Sequence, residues 1–98
     1  SNVVETFGNA RARDLFDDKQ SRATRTFPPE LRRAARRKLL YLHDAAERRD
    51  LRVPPGNRLE GLKGSWKGFH SIRINDQWRV VFRWESGNAF DVQVVDYH

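Results

Sequence analysis

The chain has 98 residues, a length that allows one domain around one hydrophobic core and excludes a second. Hydrophobic residues make up 38% and charged residues 33%, which is the balance of a soluble globular domain over residues 1–98. Cysteine is absent, which excludes a disulfide scaffold, thiolate catalysis and a zinc finger, and predicts a cytoplasmic protein. No apolar run approaches the roughly 18–20 residues of a membrane span, no signal peptide is recognisable, and Ser1-Asn2 resemble a cleavage scar.

The positive charge is concentrated in the first part of the chain. Nineteen Lys and Arg against thirteen Asp and Glu give a net charge of +6, so a polyanion is the expected class of partner. The surplus lies in residues 1–58, which carry 14 basic and 8 acidic side chains. Residues 59–98 are neutral and hold all three tryptophans, a composition typical of a packed sheet.

The first half of the chain predicts one short and one long helix. A β-prone run at residues 3–7 ends at Gly8-Asn9, residues 10–19 follow as a short helix, and residues 20–26 form a polar connection. A longer helix opens at residues 27–29, because proline suits a first turn, and it ends near Arg48 or Arg49. Its apolar stripe, spaced at three and four positions, consists of Leu31, Ala35, Leu39, Leu42 and Ala46.

The second half predicts strands, because its apolar period changes to two. The strands cover residues 69–74, 78–85 and 90–97, and their core-facing positions include Phe82, Phe90 and Val92. We therefore expect an α+β fold: a three-stranded antiparallel meander, joined by an N-terminal strand, with two to three helices packed on one face.

Turn lengths set the register of this sheet. Pairing Glu85 with Ala89 places Phe82 opposite Val92 and Val80 opposite Val94, and a three-residue turn at 75–77 places Arg73 directly opposite Arg79 on the other face. Like charges in such a position are destabilising unless an anion lies between them. The pair is therefore either a phosphate cradle or two solvated arginines that pair with Asp76 or Asp91.

Four stretches carry a family resemblance: residues 50–60 (DLRVPPGNRLE), residues 62–64 (LKG), residues 71–80 (SIRINDQWRV) and residues 95–98 (VDYH). Together they resemble the HigB toxins of the RelE/ParE superfamily over nearly the whole chain. The resemblance implies a compact α+β toxin of a bacterial type II toxin-antitoxin system, which cleaves mRNA in the ribosomal A site. It also implies a HigA-type helix-turn-helix antitoxin as partner, with operator DNA bound only through the antitoxin complex.

The resemblance assigns catalytic roles by position, to Lys63, Arg79, Asp96, Tyr97 and His98. The chain departs from the family pattern at three places. Glu60 stands where some members have a catalytic histidine, residues 64–66 read Gly-Ser-Trp where Gly-Asp-Arg is common, and His70 stands where others often have Trp or Tyr.

The chemistry of metal-free RNA cleavage fits these residue types. The 2′-hydroxyl of RNA can attack the adjacent phosphorus if the site supplies a base, an acid and cations. Arg79 and Lys63 would stabilise charge, with Arg73 as a weaker candidate. His98 and either Asp96 or Glu60 would transfer protons, and Tyr97 would stack on or orient a base. No cofactor is implied, and the three histidines show no metal-ligand spacing.

The basic helix surface has two interpretations, a solvated face or a docking surface for ribosomal RNA. In the second interpretation its contacts come from Arg32, Arg33, Arg36, Arg37, Arg48 and Arg49. Two other functions are alternatives to the nuclease: a ParE-like toxin that inhibits DNA gyrase, and a non-catalytic RNA-binding regulatory module.

Overall fold

A four-stranded antiparallel sheet is the framework of the computed structural model, which describes residues 4–97. In sheet order its strands are β1 (Glu60–Gly61), β2 (His70–Arg73), β3 (Trp78–Glu85) and β4 (Asn88–Asp96). The helices are α1 (Ala10–Phe16), α2 (Arg22–Arg25) and α3 (Arg32–Asp44), and 3₁₀ turns cover Pro29–Leu31, Arg48–Arg52, Pro55–Asn57 and Gly64–Trp66. The predicted α+β class is confirmed.

The helices cover one face of the sheet and form the core with it. Side chains of α1 and α3 pack against β2, β3 and β4. Phe27, in the connection before α3, packs in a T-shaped arrangement on Trp78, with ring centroids 4.8 Å apart. The fully buried side chains of this core include Leu39, Leu42, Ile72, Val80, Phe82, Val92 and Val94. Within residues 4–97, no helix has both the length and the apolar character needed to cross a membrane.

The helices are shorter than the sequence predicts. The helix α1 ends at Phe16 rather than Lys19, and α3 ends at Asp44 because the backbone of Ala45 is extended. That bend buries Ala45 in place of Ala46 of the predicted stripe. The predicted polar connection at 20–26 contains α2, because Ser21 and Thr24 satisfy each other's backbone amides in a capping box.

A β-bulge alters the predicted register of the last hairpin. The turn pairs Glu85 with Asn88 rather than Ala89, and one extra residue on β4 lies opposite β3 between the Arg83 and Val81 pairs. Asp91 lies there with a φ of 53°. The bulge restores the predicted pairing of Val80 with Val94. It also places Ala89 in the core. The uninterrupted alternation predicts Phe90 at this core position, and that prediction is wrong.

The N-terminal segment joins the sheet, but as two isolated parallel bridges rather than as a full strand. Val4 pairs with Ala89 and Phe7 with Val92, along the outer edge of β4. The backbone amide of Gly8 donates to the carbonyl of Val92 at 2.7 Å. The fourth antiparallel strand is β1 instead, which pairs with β2 at the opposite edge.

Asn9 holds α1 to the sheet and provides a test of the fold. Its Oδ1 accepts from the Ala12 amide at 2.9 Å, which caps α1, and its Nδ2 donates to the carbonyl of Val94 at 3.0 Å. We expect Asn9→Ala to lower the free energy of unfolding by about 1–3 kcal/mol in chemical denaturation, since it removes the cap and leaves a carbonyl unpaired. Asn9→Asp keeps the capping oxygen and should lose less; equal losses would contradict this division of roles.

Candidate active site

The sheet face opposite the core gathers several predicted site residues, and we call it the arginine face. Directly paired residues in a sheet project to the same face, so the register defines two rows that cross the strands. One row contains Arg73, Arg79 and Val95, and the other contains Glu60, Ser71, Val81 and Gln93. This face is not bare, because Val81 and Ser71 are buried on it.

Arg73 and Arg79 lie directly opposite each other, as the turn length predicts. Each guanidinium has a partner of its own in the connecting turn. Arg73 Nη2 forms an ion pair with Asp76 Oδ1, and Arg79 Nη1 donates to the backbone carbonyls of Asn75 and, at 3.2 Å, of Trp78. The two guanidinium groups are therefore bonded to different groups of the turn, one to a carboxylate and the other to neutral carbonyls.

The sequence offers Asp91 as another partner for Arg73 or Arg79, but Asp91 forms an ion pair with Arg83 instead. Arg83 Nη1 lies 3.1 Å from Asp91 Oδ2, and its Nη2 lies 2.9 Å from Glu85 Oε1. Hydrogen bonding and attraction from Glu85, reinforced by Asp91, raise the pKa of the Arg83 guanidinium above its ordinary value. Arg83 is thus neutralised at the far end of β3 from Arg79.

The turn between β2 and β3 is shaped by Asn75 and connected to the end of β4 by Gln77. Asn75 Oδ1 accepts from the amides of Gln77 at 3.0 Å and Trp78 at 2.8 Å. Gln77 Nε2 donates to Asp96 Oδ2 at 2.8 Å, and its carbonyl accepts from the Tyr97 amide at 2.9 Å. Sequence reasoning missed both residues, although asparagine at the start of a short turn is a known signal for such side chain–backbone bonding.

The predicted catalytic ending divides between the two faces. Asp96 pairs with Trp78, so it lies on the core side of the sheet at the exposed end of β4. Tyr97 is half-buried and follows Gln93 and Val95 in the alternation of the arginine face. His98, the predicted proton-transfer residue, lies outside the described residues.

The two residues from the opposite edge of the sheet are exposed. Glu60, in β1, lies opposite Ser71 and therefore belongs to the arginine face. Lys63 lies in the loop that follows β1. The Leu62 amide donates to the Phe69 carbonyl at 2.9 Å and closes this loop. The Lys63 carbonyl accepts from the Trp66 amide at 3.2 Å, which starts a 3₁₀ turn at Gly64 with a φ of 64°.

His70 is not positioned to replace the catalytic histidine that some family members have at the position of Glu60. His70 pairs with Phe82 and Gly61, and its ring lies 5.9 Å from that of Phe82 on the core side. Burial, and then the nearby charge of Arg48, lower the pKa of this half-buried histidine below 6.5. Both effects favour the neutral form of His70, which lies on the face opposite Glu60.

His43 is not the solvated helix-surface histidine that its position in α3 suggests. It is half-buried, its Nδ1 accepts from the Val4 amide at 3.3 Å, and its ring lies 5.2 Å from that of Phe16. It therefore anchors the N-terminal segment. Among residues 4–97, no three His, Asp or Glu side chains lie close enough together to hold a metal ion.

The six arginines assigned to RNA docking are not equivalent. Arg32 Nη2 donates to the Thr24 carbonyl at 3.0 Å and Arg36 Nε to the Phe16 carbonyl at 3.2 Å, so both satisfy carbonyls of α2 and α1. Arg33 and Arg37 are exposed on α3. Beyond α3, Arg48 Nη1 lies 3.4 Å from His70 Nε2 and Arg49 Nε lies 2.6 Å from Glu47 Oε2.

Comparison with known proteins identifies the family. The family model for HigB-like toxins, described as the RelE-like toxin of the type II toxin-antitoxin system HigB, matches residues 5–98. The chain belongs to the HigB toxin family. Toxin HigB-1 of Vibrio cholerae is 45% identical over 75 residues, which are 76% of each chain. Endoribonuclease HigB of Proteus vulgaris is 37% identical over 41 residues, which are 42% of this chain and 45% of that protein.

Two solved structures share the fold of this chain. A YafQ mutant from E. coli superposes with a TM-score of 0.56 at 15% identity, covering 95% of this chain and 92% of that one. The YoeB-YefM complex from Staphylococcus aureus gives 0.53 at 15% identity, covering 97% of both chains. At these identities the likeness shows that this HigB toxin has the RelE-type α+β architecture.

The burial of His70 and its contact with Arg48 together predict a pH dependence. Because the folded state holds the His70 pKa below 6.5, the unfolded chain binds the proton more readily, and stability should fall as the pH drops below about 6.5. Arg48→Gln removes the neighbouring charge and should raise the His70 pKa in an NMR titration of the ring. Arg49→Gln is the matched control, since Arg49 pairs with Glu47. The same His70 pKa in Arg48→Gln as in the wild type would contradict the assignment.

Proposed function

We propose that this HigB toxin is a ribosome-dependent endoribonuclease that cuts mRNA in the A site, with the arginine face as its active site. The observation that carries the proposal is the register, which brings Arg73, Arg79 and Glu60 to one face of the sheet. Membership of the HigB family and the resemblance to a relative named an endoribonuclease support it. A rigid sheet suits this chemistry, because cations must be held where charge develops.

The reaction in this proposal needs no metal. The 2′-hydroxyl oxygen bonds to the adjacent phosphorus as a base removes its proton, the bond to the 5′-oxygen breaks, and an acid protonates that leaving oxygen. The products are a 2′,3′-cyclic phosphate and a free 5′-hydroxyl. Two negative charges accumulate on the phosphorane oxygens during the step, so fixed cations lower the barrier most effectively.

The residues divide these roles by position. Arg79 and Lys63 stabilise the phosphorane, and Arg73 contributes less because Asp76 already neutralises it. His98 and Glu60 form the acid–base pair, and Tyr97 stacks on a splayed base. We favour Glu60 over Asp96 as the carboxylate because Glu60 shares a face with Arg79, whereas Asp96 pairs with Trp78 on the core side.

The partners follow from the same proposal. As a type II toxin, the protein is neutralised by an antitoxin, for which we propose a HigA-type helix-turn-helix protein, with operator DNA bound only through the complex. Ribosome and mRNA are the substrate assembly, and the cytoplasm is the compartment in which they meet.

Arg79 provides the first test of catalysis. Primer extension on a defined mRNA in purified translating ribosomes should show cuts inside A-site codons, and free mRNA should stay intact. We expect Arg79→Ala to slow cleavage by about 10²–10³-fold, the usual effect of removing one donor that stabilises a transition-state charge. Arg83→Ala is the matched control on the same strand and face, since its guanidinium is already paired with Glu85 and Asp91.

Two outcomes would contradict the proposal. Equal rates for Arg79→Ala and the wild type would remove Arg79 from the mechanism. An uncut message in the presence of wild-type toxin would remove the nuclease function itself. Inhibition of DNA supercoiling would then favour gyrase as the target, and binding of ribosomes without cleavage would favour a non-catalytic RNA-binding module.

The division among the basic residues predicts two different defects. Arg33→Gln/Arg37→Gln should weaken ribosome binding and reduce the slope of log affinity against log salt by about 1.5, since two phosphate contacts are lost. The same pair should leave thermal stability unchanged. Arg32→Gln/Arg36→Gln should lower the free energy of unfolding by about 1–3 kcal/mol, because carbonyls of α1 and α2 lose their donors. Identical binding and stability for the two double variants would refute the distinction.

A further inference from the structure

Gln77, in the turn at 75–77, bonds to both of the last two described residues, Asp96 and Tyr97. Its side-chain amide donates to Asp96 Oδ2 at 2.8 Å, and its carbonyl accepts from the Tyr97 amide at 2.9 Å. Neither the family resemblance nor the residue pattern assigns Gln77 a role. Its two contacts determine where β4 ends relative to the turn.

The other end of the same turn holds Arg79. The carbonyl of Asn75 accepts from Arg79 Nη1, and the Asn75 side chain fixes the turn by accepting from the amides of Gln77 and Trp78. One short segment therefore bonds to a guanidinium of the arginine face and to the end of β4. A displacement of Gln77 would therefore change the distance between Arg79 and Tyr97.

We propose that Gln77 and Asp96 form a positioning pair, in which the Asp96 carboxylate accepts from the Gln77 amide to hold Tyr97 beside Arg79, and takes no part in proton transfer. The proposal rests on the nuclease function proposed above and deepens it. It decides between the two carboxylates that the sequence offers as partners of His98.

The place of Asp96 in the sheet supports this role. Asp96 pairs with Trp78, whose side chain lies in the core, whereas Arg79 pairs with Val95 on the other face. A carboxylate that moves a proton of the substrate must reach the reacting atoms, and those lie beside Arg79. Asp96 instead has the core-side position opposite Trp78, and its carboxylate accepts from the Gln77 amide.

Because the pair is exposed, we expect it to align the end of β4 with Arg79 and to contribute little to the stability of the fold. Both Gln77 and Asp96 are exposed, so the loss of their hydrogen bond leaves the core intact. A shift of about 1 Å in a reacting group can still slow an enzyme by up to about 10²-fold. The pair should therefore affect the cleavage rate more than the melting temperature.

Three variants test the pair, with single-turnover cleavage on programmed ribosomes as the readout. Gln77→Glu places two carboxylates together and should slow cleavage by about 10–10²-fold. Asp96→Asn keeps an acceptor but a neutral one, so we expect a loss of less than about tenfold and an unchanged pH profile. The double variant Gln77→Glu/Asp96→Asn reverses donor and acceptor and should recover the rate of Asp96→Asn alone.

Hydrogen exchange provides a readout that does not depend on activity. The Tyr97 amide should exchange faster in Gln77→Glu than in the wild type, and the double variant should restore its protection. Gln20→Glu, an exposed glutamine in the loop between α1 and α2, is the control for added charge and should behave as the wild type. Should Gln77→Glu fail to fold, Gln77→Met removes the donor without adding charge.

The outcomes separate the two proposals. A loss of 10²–10⁴-fold in Asp96→Asn with a changed pH profile would make Asp96 a proton-transfer residue and overturn the positioning pair. Unchanged cleavage and unchanged Tyr97 exchange in Gln77→Glu would also overturn it. An uncut message with the wild-type protein would refute the nuclease function, while the exchange of Tyr97 would still report whether Gln77 holds the end of β4.

Discussion

The opposition of Arg73 and Arg79 across β2 and β3 is the constraint on which the arginine face depends. Two guanidinium groups at paired positions of a sheet repel each other, and a fold that keeps them must compensate locally. The turn at 75–77 supplies the compensation, with the Asp76 carboxylate for one arginine and the Asn75 carbonyl for the other. The two partners differ in kind: an exposed carboxylate partly offsets the charge of Arg73, whereas a neutral carbonyl orients Arg79 and leaves its charge uncompensated.

That difference explains why Arg79 is the better candidate for charge stabilisation. An arginine paired with a carboxylate must exchange that partner before it can bind phosphate, and for the exposed Asp76 the exchange costs a small part of the binding energy. A neutral carbonyl fixes the side chain without cancelling its field. Arg83, on the same face and strand, has two carboxylate partners and shows the opposite arrangement. The three arginines of this face therefore differ in how many carboxylates pair with them: none among the bonds shown for Arg79, one for Arg73 and two for Arg83.

The sequence predicts those features that depend on period and turn length. The period of two locates β3 to the residue, and the three-residue turn places Arg73 opposite Arg79. The sequence does not reveal the bulge at Asp91. The bulge leaves the pairing of Val80 with Val94 as the pattern predicts and shifts only the pairs near the hairpin turn, such as Glu85 with Asn88. The two-residue strand β1 is too short to show any period, so the place of Glu60 on the arginine face emerges only from its pairing with Ser71.

The residues of the candidate site are predictions from the sequence, and the hydrogen bonds between them emerge only from the structure. Residue pattern and family resemblance indicated Arg79, Lys63 and the last three residues, but hydrogen bonds such as that from Gln77 to Asp96 join positions 19 residues apart and have no local signal. The same limit applies to the basic helix. A net charge of +6 counts Arg32 and Arg36 equally with Arg33 and Arg37, although the first two are bonded to carbonyls of other helices.

The bonds of Arg32 and Arg36 follow from the shortness of α1 and α2. Helices of 7 and 4 residues leave most of their terminal carbonyls without a partner inside the helix. A long side chain from α3 that reaches such a carbonyl satisfies it and also fixes the approach of the two helices. Arginine suits this task, because its stem packs along the helix while its planar head donates in a fixed direction. Part of the basic surplus is therefore explained by the fold itself, and only the remainder is available to bind a polyanion.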